Sequence, residues 1–359
     1  MIKTKLVFSC FIAMAQILQA HIPTQQETAI YRSHLDGVIS PKCISIPEGS
    51  FVYCYNPTVE KWLEKTFNLS LLKEIERYLK PHLSIPLTKE GFSQAVATPE
   101  GDQFGEVSYS AVWVRDCCWH YYGLKTQNRR EAVKLMESLL KFYSSEEQIS
   151  RFLSVIKNPS IADPSLDSMA HMNVPLIRFS SKTLSHHQFE NKDQEWNHLQ
   201  FDSHGLFLLA LSDALSSGIL QPRSLTQKNY AVLALFPAFF SQTNYAQKPD
   251  AGPWEERLQY NASSAGLIAS GIKRIMEVLH SNTTLEQGLK KGIEELKNKK
   301  INPDVIEIVE SAMSNKNIQH LYQDGLDRVE KNLSFGGEAF SEMWTASEEM
   351  VRALSQPAV

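Results

Sequence analysis

The stretch "GLFLLALSDAL" (residues 205–215) is apolar over most of its length, and "TQKNYAVLALFPAFFSQ" (226–242) follows it after a short polar connection. Each segment is too long for a typical strand and carries apolar residues at helical spacing. The pair predicts a buried helix that packs against an amphipathic one. Repeated along a chain, this alternation builds concentric layers of helices.

The alternation recurs on both sides of this pair. Upstream, "SYSAVWVRDCCWHYYGL" (108–124) is apolar nearly all round and precedes the amphipathic "RREAVKLMESLLKFY" (129–143). Downstream, "NASSAGLIASGIKRIMEVL" (261–279) precedes the charged "LEQGLKKGIEELKNKK" (285–300). Small residues over 262–266 would let the third apolar helix approach its neighbours closely. The periodicity therefore predicts an all-α fold.

Further helices are predicted outside these pairs. "VEKWLEKTFNLSLLKEIERYL" (59–79) has helical periodicity and would end at Pro81, because proline lacks an N–H and stops a helix. Near the C-terminus, "NPDVIEIVESAMS" (302–314) and "IQHLYQDGLDRVEKNL" (318–333) predict polar helices. None of the helices predicted after residue 280 is as apolar as an inner-layer helix should be.

The N-terminus has the composition of a secretory signal. Lys3 and Lys5 precede an apolar run over residues 6–18 that ends near the small residue Ala20. The run is shorter than the ~20 residues that span a bilayer, which disfavours a retained anchor. We expect a signal peptide at 1–20 and one mature domain at 21–359 that is secreted or periplasmic, with no membrane association after cleavage.

Composition and cysteine usage limit the partners and the redox chemistry. The net charge of −4 argues against nucleic acid as a partner. In an oxidising compartment Cys43 and Cys54 could close a short loop, whereas the adjacent Cys117 and Cys118 are poorly placed to bond each other. No histidine or cysteine spacing fits a metal site, so no metal and no cofactor are expected.

Three stretches put polar residues at the start of an apolar helix: "VWVRDCCW" (112–119), "QEWNHLQFDSHGLFLL" (194–209) and "PWEERLQYNASS" (253–264). Arg115 and Asp116 lie in apolar surroundings, where an unpaired charge costs several kcal/mol. They are therefore paired in an internal ion network, exposed, or bound to a ligand. Asp202 alone is typical of a helix cap.

The pair Glu255 and Glu256 also has two readings. Acids are favoured in the first turn of a helix and are usually solvated there. Alternatively, one carboxyl desolvated against Trp254 and raised in pKa by its charged neighbour could stay protonated and donate to a glycosidic oxygen. Trp196 and Trp254 offer flat faces for a sugar ring, although tryptophans are commoner in cores.

In this order the three stretches resemble glycoside hydrolase family 15, the glucoamylase family, and especially its phosphorylase kinase regulatory subunit branch. "VWVRD" matches the family's Arg-Asp stretch at the first inner helix. "EWNHLQFD" matches the next signature, with Asn197 where glycine is usual, and "PWEERLQYNASS" matches the third. The resemblance covers residues 105–280, about half of the chain.

The resemblance implies an (α/α)6 toroid of paired helices with the active site at the bottom of a funnel. It implies that Glu255 is the general acid and that Glu256 shapes the site and keeps Glu255 protonated. It also implies that the non-reducing terminal glucose of an α-glucan is bound by the residues Arg115, Asp116, Trp196, Gln200, Asp202, Trp254 and Glu256. The family inverts anomeric configuration, so a second carboxylate must activate water from about 6.5–9.5 Å away.

The C-terminal part departs from the family pattern. Residues 281–359 read as shortened or diverged, so the ring is either closed by polar helices or incomplete. "FGGEAFSEMW" (335–344) is similar to a late family segment, which makes Glu338 and Glu342 candidates for the base. Two functions follow: a monomeric, secreted hydrolase that releases glucose from starch, glycogen or maltodextrins, or a glucan-binding or regulatory protein that lacks a base. A self-associating incomplete ring is a third alternative.

Overall fold

The computed structural model describes residues 42–45, 51–54, 57–63, 65–80, 86–94, 111–189, 192–193, 196–253, 258–299 and 301–334. These residues fall into two compact units, Met1–Ser84 and Ile85–Val359. The predicted signal peptide at 1–20 and the predicted acids Glu255 and Glu256 lie outside the described residues. The single mature domain at 21–359 stays a prediction.

The first unit contains a hairpin and two helices. Strands β1 (Lys42–Ser45) and β2 (Phe51–Cys54) pair antiparallel, with Cys43 opposite Tyr53. The two cysteines are therefore not directly opposite each other, and their disulfide stays a prediction. Helices α1 (Pro57–Leu63) and α2 (Leu69–Leu79) follow.

The prediction of one continuous helix over 59–79 is wrong, because α1 and α2 are separated by residues 64–68. Asn68 caps α2, and its Oδ1 accepts a hydrogen bond from Leu71 N at 3.0 Å. This cap satisfies an N–H that a helix start otherwise leaves without a partner. Trp62 fixes the two helices against each other, since its Nε1 donates to Glu74 at 3.0 Å.

The second unit is mostly helical, as the periodicity predicts. Its helices are α3 (Val114–Gln127), α4 (Arg129–Tyr143), α5 (Glu146–Lys157), α6 (Phe201–Ser216), α7 (Gln227–Thr243), α8 (Ala262–His280), α9 (Thr283–Asn298), α10 (Pro303–Ala312) and α11 (Asn315–Ser334). Short antiparallel pairs join β3 (Val112–Trp113) to β4 (Arg178–Phe179) and β5 (Gln188–Phe189) to β6 (Lys192–Asp193).

The helices of this unit form an inner and an outer layer. In the inner layer α3 packs on α6, α6 on α8, and α8 on α11. In the outer layer α7 lies centrally and contacts α4, α5, α9 and α10. The chain passes from the inner to the outer layer at α3–α4, α6–α7 and α8–α9, as in the paired helices of an (α/α)6 toroid. Among the described helices none is long and apolar enough to cross a membrane.

Two helices differ from their predicted burial. We expected α3 to be apolar nearly all round, but it buries one stripe and leaves Trp119 59% exposed. We expected α7 to be amphipathic, but it is buried on almost every side. The burial differs because the two helices have different numbers of neighbours. Within the described part of the chain, α3 packs mainly on two neighbouring helices, whereas several helices surround α7.

The inner layer depends on close backbone contact between α6 and α8. A Cβ added at Gly205 would lie 2.5 Å from backbone atoms of Leu267 and Ile268, and one added at Gly271 would lie 2.5 Å from the carbonyl of Gly205. The predicted close approach is therefore present. It rests on these two glycines, whereas a Cβ at Gly266 would meet only a side chain at 3.5 Å.

Helix α11 belongs to the inner layer although its sequence is polar. We expected no inner-layer helix after residue 280, and α11 corrects that expectation. Its contact with the core includes hydrogen bonds. Arg328 Nε donates to the Ala246 carbonyl at 2.6 Å, and the Tyr245 hydroxyl donates to the Leu321 carbonyl at 2.7 Å. Buried polar groups bonded in this way pack without the usual desolvation cost.

Candidate functional site

Arg115 lies in the first turn of α3, the first inner helix, and joins two of the three predicted stretches. Its Nε donates to Asp202 Oδ2 at 2.6 Å, and its Nη2 donates to Asp202 Oδ1 at 3.1 Å. The same Nη2 donates to Gln200 Oε1 at 2.6 Å. The Arg115 side chain is 13% exposed and that of Asp202 is 1% exposed. The two-oxygen geometry is the strong form of an arginine–carboxylate pair.

The residues that lead directly into the third stretch reach the same arginine through their backbone. Arg115 Nη2 donates to the Gly252 carbonyl at 3.1 Å, and Ala251 N donates to the Leu199 carbonyl at 2.8 Å. Gly252 has φ +58°, and a Cβ there would lie 2.4 Å from the Asn261 side chain. Only glycine fits this position without strain. Segments 137 residues apart in sequence therefore meet at one guanidinium.

The sequence left Arg115 paired inside the protein, exposed, or bound to a ligand. The internal ion pair is present, because Asp202 neutralises Arg115. Asp202 is enclosed, so its described role is to hold the arginine, and its contact with a sugar stays a proposal. Gln200 is fully buried and donates through Nε2 to the Asn197 carbonyl at 2.8 Å, which fixes the amide that faces Arg115.

Asp116 is the neighbouring carboxyl and lies half-buried beside the pair. Burial raises its pKa above the ordinary value, while the charge of Arg115 acts in the opposite direction. Of the carboxyl groups described at this site, Asp116 is more accessible than Asp202 and Asp250, which are each 1% exposed. A ligand at the start of α3 would meet Asp116 before either of the enclosed acids.

Asp250 is a site residue that the sequence reasoning missed. Its Oδ2 accepts from Phe201 N at 2.9 Å, at the start of α6, and from Ser264 Oγ at 2.8 Å, in the first turn of α8. Its Oδ1 accepts from Asn261 Nδ2 at 2.9 Å. Burial, together with the charge of Asp202, raises the pKa of Asp250 to about 7. One acid in a loop has no periodicity that would reveal it.

Trp196 packs in a cluster with the short strands β3 and β4. Its ring meets that of Trp113 edge to face at 5.6 Å, and the guanidinium of Arg178 lies 4.6 Å from the centre of the Trp196 ring. Such a cation–π contact holds an indole in one orientation. Trp196 is half-buried, so the ring is both fixed and partly accessible, as a sugar platform requires. Trp254 lies outside the described residues.

Several histidines of the second unit form hydrogen bonds to other protein groups. Ile177 N donates to His198 Nδ1 at 3.4 Å, so His198 carries its proton on Nε2 and donates to His186 Nε2 at 3.2 Å. Burial lowers the pKa of His198 well below its usual value. His204 Nδ1 bonds the Tyr143 hydroxyl at 2.8 Å. In the described part of the chain no group of three metal-ligating residues is found.

The cysteines of α3 add no reactive group to this site. Cys117 and Cys118 are buried free thiols, which agrees with the prediction that they do not bond each other. Burial raises the pKa of Cys117 to about 12. A thiol in this state is protonated and inert at neutral pH.

Comparison with known proteins supports the family resemblance that the three sequence motifs indicate. The sequence matches the family Glycosyl hydrolases family 15 over residues 83–348. A protein of Escherichia coli (strain K12) with the name Uncharacterized lipoprotein YgeQ is 34% identical over 152 residues, which is 41% of this chain and 56% of that protein. The chain thus spans about half the length of this curated relative. The family match includes all the segments that meet at Arg115, and the chain belongs to glycosyl hydrolases family 15.

Proposed function

We propose that this protein is an exo-acting α-glucan hydrolase that releases glucose from non-reducing chain ends with inversion. The observation that carries the proposal is the convergence on Arg115 of the segments with Gln200, Asp202 and Gly252. Glu255 follows Gly252 and Pro253 closely in the sequence, which supports its assignment to the same site. Starch, glycogen and maltodextrins are the proposed substrates.

The proposed roles follow the family pattern. Glu255 donates the proton to the glycosidic oxygen, and Glu256 raises the pKa of Glu255 by like-charge repulsion. Asp116 and Arg115 bind hydroxyls of the terminal glucose, with Gln200 and Asp202 behind them. Trp196 and Trp254 are the proposed ring platforms.

The base is proposed to come from the C-terminal segment. Asp202 binds Arg115 through both oxygens, and Asp250 is surrounded by three donors, so neither is placed to activate water. The family match extends to residue 348 and includes Glu338 and Glu342, which lie outside the described residues. These two acids are the proposed candidates for the base.

A second candidate function is glucan binding without turnover. It is favoured by the same enclosure of Asp202 and Asp250, which leaves Asp116 as the accessible carboxyl in the described part of the site. Such a protein would hold the terminal glucose through Arg115, Asp116 and Trp196. Titration calorimetry with an acarbose-like ligand separates the two, since binding without glucose release supports this second function.

We also propose that the protein is exported and monomeric. The basic and apolar start of the sequence supports export, and the name of the E. coli relative, a lipoprotein, points to the cell envelope or its exterior. Fractionation of cells that express the full-length chain tests the location. Light scattering of the mature chain tests the oligomeric state.

The central experiment uses the purified mature chain and maltooligosaccharides. Wild-type protein should release glucose, and Glu255→Gln should lower the rate by about 10²- to 10⁴-fold, as expected for loss of a general acid. Glu307→Gln is the matched control, because Glu307 is an exposed residue of α10 far along the chain. No release by the wild type, or equal rates in both variants, would contradict the proposal.

A further inference from the structure

The segment that carries Glu255 begins and ends at a two-residue bridge. Asp250 N donates to the Gln259 carbonyl at 2.9 Å, and Gln259 N donates to the Asp250 carbonyl at 3.0 Å. Glu255 lies between these two residues in the sequence. The bridge therefore closes the base of the loop that carries the proposed acid, and whatever fixes Asp250 also fixes this base.

The side chain of Asp250 attaches that base to both inner helices. Phe201 N is an N–H at the start of α6, where helix geometry leaves it without an intrahelical partner. Ser264 belongs to the first turn of α8, and Asn261 is the residue that precedes α8. One carboxylate thus bonds the starts of two helices and the residue that precedes the second of them.

The Asp250 carboxylate is too enclosed to take part in the reaction directly. It is 1% exposed, and its oxygens accept three hydrogen bonds from protein donors. A carboxylate that contacts substrate or water would need an open side. Its enclosure is costly, as the raised pKa indicates, and such a cost is typical of a group that fixes a functional site.

We propose that Asp250 is a positioning residue that sets the placement of Glu255 toward the glycosidic oxygen. The inference rests on the proposed function. Asp250 acts through the bridge to Gln259 and through its bonds to α6 and α8. Replacing the carboxylate with an amide puts an NH₂ group where one oxygen accepts from Phe201 N and Ser264 Oγ, or where the other accepts from Asn261 Nδ2. In either orientation at least one hydrogen bond that fixes the loop base is lost. Displacement of a catalytic group by about 1 Å can lower a rate by about 10²-fold.

The test compares two substrates that differ in their need for an acid. Maltotriose requires protonation of its leaving oxygen, whereas fluoride leaves α-glucosyl fluoride without protonation. Asp250→Asn should lower kcat for maltotriose by about 10²-fold, with KM changed less than about 3-fold, and should lower the rate for the fluoride by less than about 5-fold. Asp304→Asn, an exposed acid of α10, is the matched control.

A second variant keeps the test decisive if Asp250→Asn folds poorly. Ser264→Ala removes one hydrogen bond to Asp250 without changing charge and should show the same selectivity at about 3- to 10-fold. Thermal melts of both variants verify the fold. Equal loss on both substrates, or no loss in either variant, overturns the inference while the proposed function stands. If wild-type protein hydrolyses neither substrate, the proposed function fails and the inference fails with it.

Discussion

Replacement of Asp202 by asparagine is the most informative perturbation of the described site. The change keeps the size of the side chain but removes the carboxylate charge that pairs with the Arg115 guanidinium, which is 13% exposed. Removing one partner of a buried ion pair lowers the free energy of unfolding by about 3–5 kcal/mol. Because Arg115 is partly exposed, we expect a loss of about 3 kcal/mol. At roughly 2–4 °C per kcal/mol, the melting temperature should fall by about 6–12 °C.

A double-mutant cycle separates the pair from the rest of its surroundings. Arg115→Gln alone should cost about as much as Asp202→Asn, because it leaves an enclosed carboxylate unpaired. The double variant should cost about 2–3 kcal/mol less than the sum, since two amides replace two opposite charges. Urea unfolding monitored by circular dichroism measures each corner. Glu286→Gln, which breaks an exposed pair with Lys290, should not change the melting temperature measurably. Additive losses would refute the coupled role of Arg115 and Asp202.

Three further predictions follow from the packing and charge of the second unit. Gly205→Ala forces a Cβ against the backbone of α8 and should cost about 1–3 kcal/mol in thermal melts, whereas Gly123→Ala, with open space around it, should be neutral or stabilising. Burial lowers the pKa of His187 to about 4 and of His204 to about 3. The unfolded chain therefore binds more protons at these two residues below about pH 6.5, and their contribution lowers the melting temperature between pH 6.5 and 4. The change in melting temperature over this range should be more favourable in His204→Gln than in the wild type. Trp196→Ala should weaken binding of an acarbose-like ligand by at least about 10-fold in calorimetry, and unchanged affinity would remove the platform role.

Helical periodicity predicts most of the fold because it reports which residues face away from water. It predicts α4 at its observed bounds, and α8 and α9 within two residues of theirs. It does not report how many neighbours a helix has. For this reason α7 reads as amphipathic although five helices contact it: α4, α5, α9, α10 and α11. Helix α11 reads as a surface helix although hydrogen bonds from Arg328 and to Leu321 let it join the inner layer.

Some residues of the candidate site are likewise indicated by the sequence, and others are not. Charged residues in an apolar stretch indicate Arg115 and Asp116, because an unpaired buried charge is costly, but only the fold shows that Arg115 pairs with Asp202. Asp250 gives no such signal, since a lone acid in a loop is ordinary in a sequence. Its importance depends on two helix starts and Gln259, which come together only in three dimensions.

The most direct test of the account is the anomeric form of the first glucose released from maltotriose. Proton NMR of the mature protein with substrate, recorded before mutarotation, distinguishes the two anomers. A single-displacement reaction with Glu255 as the acid predicts β-glucose as the initial product. Initial release of α-glucose, or tight binding with no glucose at all, would contradict the central claim.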